Sequence, residues 1–322
     1  MHLRIALLQF APKPEHLQEN LEEILTGIDR AAKAGAHLLV APEMSLTGWS
    51  LPRASVRTRL AERVSSEAIP ALAEAADRSG VVVIVGGPYP EEGDAQANCA
   101  IAIAPRGRQV LYPKVHLFGP EREWWTPGDR GHAILEVGRV RVGLSICYDA
   151  EFPEMPRLAR MAGAELLVVL ATNMSPYERD QDLIFPTRAL ENEIPVVVCN
   201  RVGSERGWTY FGRSLAASAR GVIVAQAGRD REILVADVEL AGGAGDPELS
   251  YVARRRPDVY KPLTQRADAE GVRATGGDEP LQKAFRWRNA VTDSTAERTN
   301  GVLRMVTAAL GRGRQPMEVG RG

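Results

Sequence analysis

The chain has 322 residues, 44% of them hydrophobic and 25% charged, with a formal net charge of −1. So even a balance gives no global attraction to nucleic acid or anionic lipid and argues against a function built on either. Three cysteines (Cys99, Cys147, Cys199) in a chain this long argue against a disulfide scaffold and for a reducing, cytoplasmic setting.

The apolar run from Leu3 to Phe10 is too short for a signal-peptide core and is followed by no cleavage site. It reads as a first buried strand, about Arg4 to Phe10. No run reaches membrane-spanning length. From His16 to Ala34, apolar residues Leu17, Leu21, Ile24, Leu25 and Ile28 fall at helical spacing, and Gly35 closes the helix. His37 to Ala41 is a second buried strand, ending at Pro42-Glu43. A loop to Pro52 and helices to about Arg78 follow. Ser79-Gly80 then breaks the pattern ahead of a strand from Val81 to Gly87.

Cys99 to Ile103 and Gln109 to Tyr112 flank the turn Pro105-Arg106-Gly107-Arg108, an antiparallel hairpin. A polar and aromatic loop from Pro113 to Gly131 leads to strands Ala133 to Val137 and Arg139 to Ile146, and the second strand runs into Cys147. Next come a helix (Pro153 to Gly163), a strand (Leu166 to Leu170), a helix (Asp180 to Glu193) and a strand (Pro195 to Cys199). A hairpin around Arg220-Gly221 and a last strand, Glu232 to Val238, complete the series. Helices alternate with strands, yet several strands are joined by hairpins. That pattern predicts mixed sheets with helices on their outer faces. Residues 1 to 262 read as one domain. Residues 263 to 322 read as an extension: a polar arm to Glu297, then a short amphipathic helix with Val302, Leu303, Val306, Ala309 and Leu310 on one face.

Four polar residues stand where strands hand over to loops: Glu43, Lys114, Glu123 and Cys147. Strand ends of α/β sheets supply ligand sites, so ionisable groups gathered there belong to one cleft. Taken alone, Cys147 reads as a buried structural thiol, and the three charged residues as solvated surface. Together they suffice for acyl transfer. A carboxylate takes the proton of a thiol, and an ammonium with a backbone N–H stabilises the oxyanion that forms on attack. A helix start just beyond Cys147 is expected to lower the thiol's pKa. Cys199 ends a strand without a helix start, and Cys99 lies within a strand. The five histidines have no metal-ligand spacing, there is no Cys-x-x-Cys, and no phosphate loop is present. His116, two residues from Lys114, is placed to line the site.

Three ordered blocks resemble the nitrilase superfamily of carbon–nitrogen hydrolases. They are Ala41-Pro42-Glu43-Met44-Ser45-Leu46-Thr47-Gly48, Tyr112-Pro113-Lys114-Val115-His116-Leu117-Phe118-Gly119 and Ile146-Cys147-Tyr148-Asp149-Ala150-Glu151-Phe152-Pro153-Glu154. The similarity covers about residues 3 to 262. It implies a four-layer αββα sandwich, a homodimer or larger homo-oligomer, and no metal or cofactor. It also implies a Glu-Lys-Cys triad, with Cys147 as nucleophile, Glu43 as general base and Lys114 as stabiliser of the tetrahedral intermediate. The family's second glutamate maps to Glu123, with Glu121 as the alternative, and the backbone N–H of Tyr148 joins Lys114 in the oxyanion hole. Tyr148, Trp124, Asn173 and Met174 are the expected substrate-binding residues. Nitrile-acting members typically follow the cysteine with Trp-Glu. Tyr148-Asp149 here resembles the amidase and carbamoylase branches and implies hydrolysis of a small carboxamide. A nitrilase, an N-carbamoyl amine hydrolase and a non-catalytic binding module are the alternatives.

Overall fold

The structure is a computed structural model that describes residues 1–240 and 247–265. Met1–Pro262 form one compact unit. The expected arm and C-terminal helix lie outside the described residues, apart from Leu263 to Gln265.

The chain opens with strand β1 (His2–Gln9), helix α1 (Leu17–Lys33) and strand β2 (Leu38–Val40). Helices α2 (Ala54–Arg63) and α3 (Ile69–Ser79) follow, joined by a π-helical turn, Val64–Ala68. Next come strands β3 (Val82–Pro90), β4 (Gln96–Ala104) and β5 (Arg108–Pro113), then the single turn α4 (Glu121–Trp124). Strands β6 (Ile134–Val137) and β7 (Val140–Ile146) lead through a 3-10 turn, Cys147–Glu151, to α5 (Glu154–Met161). Strand β8 (Leu166–Ala171), helix α6 (Glu178–Asn192) and strands β9 (Val196–Asn200), β10 (Val202–Glu205) and β11 (Trp208–Phe211) come after it. The last strands are β12 (Leu215–Ala217), β13 (Ile223–Gln226) and β14 (Glu232–Glu239).

Two six-stranded sheets result, ordered β14-β1-β2-β3-β4-β5 and β13-β12-β9-β8-β7-β6, with β10 and β11 as a separate ribbon. The centre of each sheet is parallel (β1-β2-β3 and β7-β8-β9) and the flanks are antiparallel. This explains the sequence pattern. Leu166 to Ala171 and Val196 to Asn200 are buried at every position, as a strand covered on both faces must be. One apolar cluster, including Leu7, Val40, Ile84, Val142, Val168 and Val197, lies between the sheets. A second packs α1, α2 and α3 on the outer face of the first sheet, and α5 and α6 cover the outer face of the other. The layers therefore run α, β, β, α. Each fully buried Leu, Ile or Val in them contributes roughly 1.5–3 kcal/mol, which fixes the ends of β2, β5, β7 and β8 relative to one another. Among the described residues, no helix is long and apolar enough to cross a membrane.

The β10–β11 hairpin has no counterpart in the sequence reading. Its strands are four residues each and carry Gly203, Ser204 and Thr209 on exposed positions. No alternation long enough to count as a strand signal exists there.

Candidate active site

Glu43 follows β2 in a tight turn where Met44 adopts φ +51°. The turn lies against β3 so closely that a Cβ on Gly86 would come 2.3 Å from the Met44 nitrogen and 2.7 Å from the Glu43 Cα. Only glycine fits at that position. The Ser45 hydroxyl ties the turn down, accepting the Gly86 N–H at 3.1 Å and lying 3.2 Å from the Gly86 carbonyl oxygen. Lys114 follows β5, its backbone N–H donating to the Asn98 carbonyl at 2.8 Å. Its own carbonyl accepts the Gly128 N–H at 2.8 Å. A side chain on Gly128 would strike the Pro113 carbonyl oxygen at 2.3 Å.

The side chains converge in a buried charge network. Lys114 Nζ donates to Glu43 Oε1 and to Glu121 Oε2, both at 2.7 Å, and all three residues are at most 1% exposed. Asn98 Nδ2 bridges the two carboxylates, at 2.8 Å to Glu43 Oε1 and 3.0 Å to Glu121 Oε1. Glu121 also accepts from Trp49 Nε1 at 2.9 Å and from the Phe118 N–H at 2.8 Å. Glu43 Oε2 accepts the Thr172 hydroxyl at 2.6 Å. Burial by itself would lower the Lys114 pKa, but Glu121 and Glu43 outweigh it and hold the ammonium well above its usual range. Burial pushes the Glu121 carboxyl up, Lys114 opposing and Glu43 reinforcing the rise. Two carboxylates around one ammonium leave about one unit of negative charge beside the thiol.

The structure corrects the expectation for Glu123. Glu123 is exposed and lines a cavity of about 430 Å³ with Trp124, Arg57, Asp94 and Gln96. The carboxylate that reaches Lys114 belongs to Glu121. Trp124 packs edge-on against Trp49 at 5.6 Å, so it supports the residue that holds Glu121.

Cys147 directly follows β7 and starts the 3-10 turn with φ +45°, a left-handed conformation that costs a non-glycine residue about 1–3 kcal/mol. The turn after it is clamped from α6, where Arg188 donates to the carbonyls of Ala150 at 2.9 Å and Glu151 at 2.5 Å. The thiol is 8% exposed and donates to Asn173 Oδ1 at 3.2 Å. Its pKa contradicts the expected lowering. Burial, then the negative charge of Glu43, push it well above the ordinary thiol value, and Lys114 offsets only part of this. The resting group is a neutral thiol, and the short 3-10 turn supplies too little dipole to reverse that.

Asp149 is fully buried and couples the cysteine turn to the lysine loop. It accepts from Tyr112 Oη (3.0 Å) and from the N–H groups of Val115 (3.3 Å) and His116 (2.7 Å), with His116 Nδ1 at 3.0 Å. The His116 ring stacks on Phe152 at 3.9 Å. Tyr148 meets Phe118 and Phe152 edge-on and lines a cavity of about 370 Å³ that includes His116 and Arg122. Asn173 is held by Gln181 and Asn200, and Met174 is buried next to it. Asn98, Thr172 and Asp149 are the contributors that the sequence reading left out. Asn98 carried one signal: a polar residue among Ala97, Cys99 and Ala100 in a strand buried at every position. Among the described residues no group of three His, Cys, Asp or Glu side chains could hold a metal ion.

The two-sheet sandwich thus carries a buried Glu–Lys–Glu network and, at the end of a strand of the second sheet, a buried thiol. A family model described as carbon-nitrogen hydrolase matches residues 4–245, and the chain belongs to that family, enzymes that hydrolyse carbon–nitrogen bonds other than peptide bonds. It is 33% identical to a nitrilase of Pyrococcus abyssi over 240 residues, which is 74% of this chain and 90% of that one. It is 34% identical to an (R)-stereoselective amidase of a Pseudomonas species over 268 residues, 83% and 96% of the two chains. Among solved structures it resembles an amidase from Nesterenkonia sp. AN1, there with acrylamide added to the active-site cysteine. That match has a TM-score of 0.74 and 29% identity, and covers 81% of this chain and 100% of the other.

Proposed function

We propose that this protein hydrolyses a small carboxamide to the carboxylic acid and ammonia through a thioester on Cys147. Glu43 takes the thiol proton as Sγ attacks the amide carbon. The oxyanion is held by the Lys114 ammonium and by the N–H of Tyr148, which sits in the first turn of the 3-10 segment where backbone N–H groups lack a partner within the helix. Protonated Glu43 then gives its proton to the leaving nitrogen, ammonia departs, and the C–N bond is broken. Water enters, loses a proton to Glu43, and attacks the thioester, releasing the acid and restoring the thiol. Glu121 holds Lys114 against the pull of Glu43 and is a positioning residue.

The observation that carries this reading is the placement of one buried ammonium between two carboxylates, in electrostatic contact with a buried thiol. An amide rather than a nitrile is favoured by Tyr148-Asp149 after the cysteine and by relatives named as amidases. The test is ammonia release from a panel of amides, carbamoyl compounds and nitriles, with Cys147→Ala alongside. Release from amides that disappears in Cys147→Ala is expected. Preference for nitriles, or activity surviving the substitution, contradicts the proposal.

A further inference from the structure

Tyr210 lies on β11, and its backbone forms an isolated antiparallel bridge with Met174. The neighbouring Ser175 N–H donates to the Thr209 carbonyl at 2.9 Å, so the ribbon is fastened to the segment that carries Asn173. Residues opposite each other across an antiparallel pair place their side chains on the same side. Tyr210 therefore projects with Met174, the residue that follows Asn173, whose side-chain amide accepts the Cys147 thiol. The tyrosine is only 2% exposed, and the Arg201 guanidinium lies over its ring at 4.1 Å, fixing the ring plane.

The hydroxyl of this buried ring makes no hydrogen bond to any described protein group. A phenol is a donor as well as an acceptor, and leaving it unmatched in the interior costs about as much as a lost hydrogen bond. Such an atom calls for a partner, and a ligand is one that a fold can wait for. Burial pushes the phenol pKa up, Arg201 opposing while Glu205, Glu43 and Cys147 add to the rise. The group is thus a neutral O–H at working pH.

We infer that Tyr210 is a specificity-determining residue whose hydroxyl meets a hydrogen-bonding substituent, such as a hydroxyl or amino group, on the acyl portion of the substrate. The inference rests on the amidase reading and narrows it from small carboxamides to those with a polar acyl group. Met174 on the same face supplies an apolar wall. An alkyl amide fits that wall but leaves the phenol unmatched, whereas its hydroxy counterpart satisfies both.

Two nearly isosteric pairs test this: lactamide against isobutyramide, and 3-hydroxypropanamide against butyramide. Binding is measured in the Cys147→Ala protein, which needs no turnover, and kcat/KM in the protein with Cys147 intact. In each background Tyr210 is compared with Tyr210→Phe. The ratio of affinities, hydroxy over alkyl, is expected to fall about tenfold in Tyr210→Phe for at least one pair, with the same fall in the ratio of kcat/KM. Thermal unfolding confirms that the variant folds, since the hydroxyl bonds no described group. Unchanged ratios in both pairs, or no binding by any of the four amides, would overturn the inference. Failure of the hydrolase proposal looks different: the binding ratio responds to Tyr210→Phe, but no ammonia is released by the protein with Cys147 intact.

Discussion

Replacing Glu121 with glutamine separates the two glutamates that the sequence offers for one role. The substitution keeps the side-chain volume but removes a charge, and it turns one oxygen into an N–H2 group. Glu121 accepts from four N–H donors, two on each oxygen. Whichever way the amide sits, two of those donors face another donor. Hydrogen bonds to a charged group contribute about 1.5–3 kcal/mol each. Glu43 still holds Lys114, which offsets part of the loss, so Glu121→Gln should cost about 3 kcal/mol. For a protein of this size that lowers the unfolding temperature by about 6–12 °C. With Lys114 drawn toward Glu43 alone, the oxyanion loses a fixed donor, and kcat should fall about 100-fold or more. The exposed Glu123 provides the control. Glu123→Gln should change stability by no more than about 0.5 kcal/mol, leaving the melting curve close to that of the unsubstituted protein. Thermal melts and ammonia release on the two variants settle the matter. Equal damage from both substitutions, or from Glu123→Gln alone, would refute the assignment.

Two further outcomes follow from the same geometry. Asp149→Asn should lower kcat by about tenfold and stability by about 2 kcal/mol, because an amide cannot accept from the Tyr112 hydroxyl and all three N–H groups that now fix the lysine loop; steady-state kinetics and a denaturant titration check this. Burial raises the Glu151 carboxyl from 4.5 to about 7, Asp180 adding to the rise. The folded state thus favours the protonated form, and stability is lost as pH climbs from about 4.5 to 7. Glu151→Gln should remove that loss, stabilising the fold at pH 8 by at most about 3 kcal/mol and not at pH 4. Denaturant midpoints across that range would show the two curves converging in acid, and parallel curves would contradict the burial argument.

Much of the site was legible because strands covered on both faces announce themselves as unbroken apolar runs. Polar residues at the ends of such runs stand out. Glu43 after Leu38 to Ala41 and Cys147 after Val142 to Ile146 each follow such a buried run, Lys114 follows a shorter one on the half-exposed edge strand β5, and the structure joins Lys114 to Glu43 at 2.7 Å. The family resemblance could not separate Glu121 from Glu123, because sequence position says nothing of which side of a turn faces inward. Within α4, residues two apart point about 200° away from each other. With Glu121 turned to Lys114, Glu123 must face outward. The thiol's pKa was misjudged for a related reason. The sequence displayed the helix start, but neither the depth of burial nor the carboxylate that the first sheet delivers beside Cys147 from residue 43. Asp149 was visible only as a neighbour of the cysteine. Its four bonds reach across to residues 112–116, a pairing created by the packing of β5 and β7 in different sheets. The β10–β11 ribbon, and with it Tyr210, was missed because four-residue strands with exposed glycine and serine lack periodicity.

The central claim is a covalent acyl-enzyme on Cys147, and intact-protein mass spectrometry with peptide mapping tests it most directly. Mixed with a turned-over amide and quenched in acid, the protein should gain the mass of the acyl group on the peptide containing Cys147. One ammonia should be released per adduct before steady turnover begins. Cys147→Ala should show neither adduct nor ammonia. An acyl group mapped to Cys99 or Cys199, or full turnover with no adduct and with Cys147→Ala still active, would contradict the account.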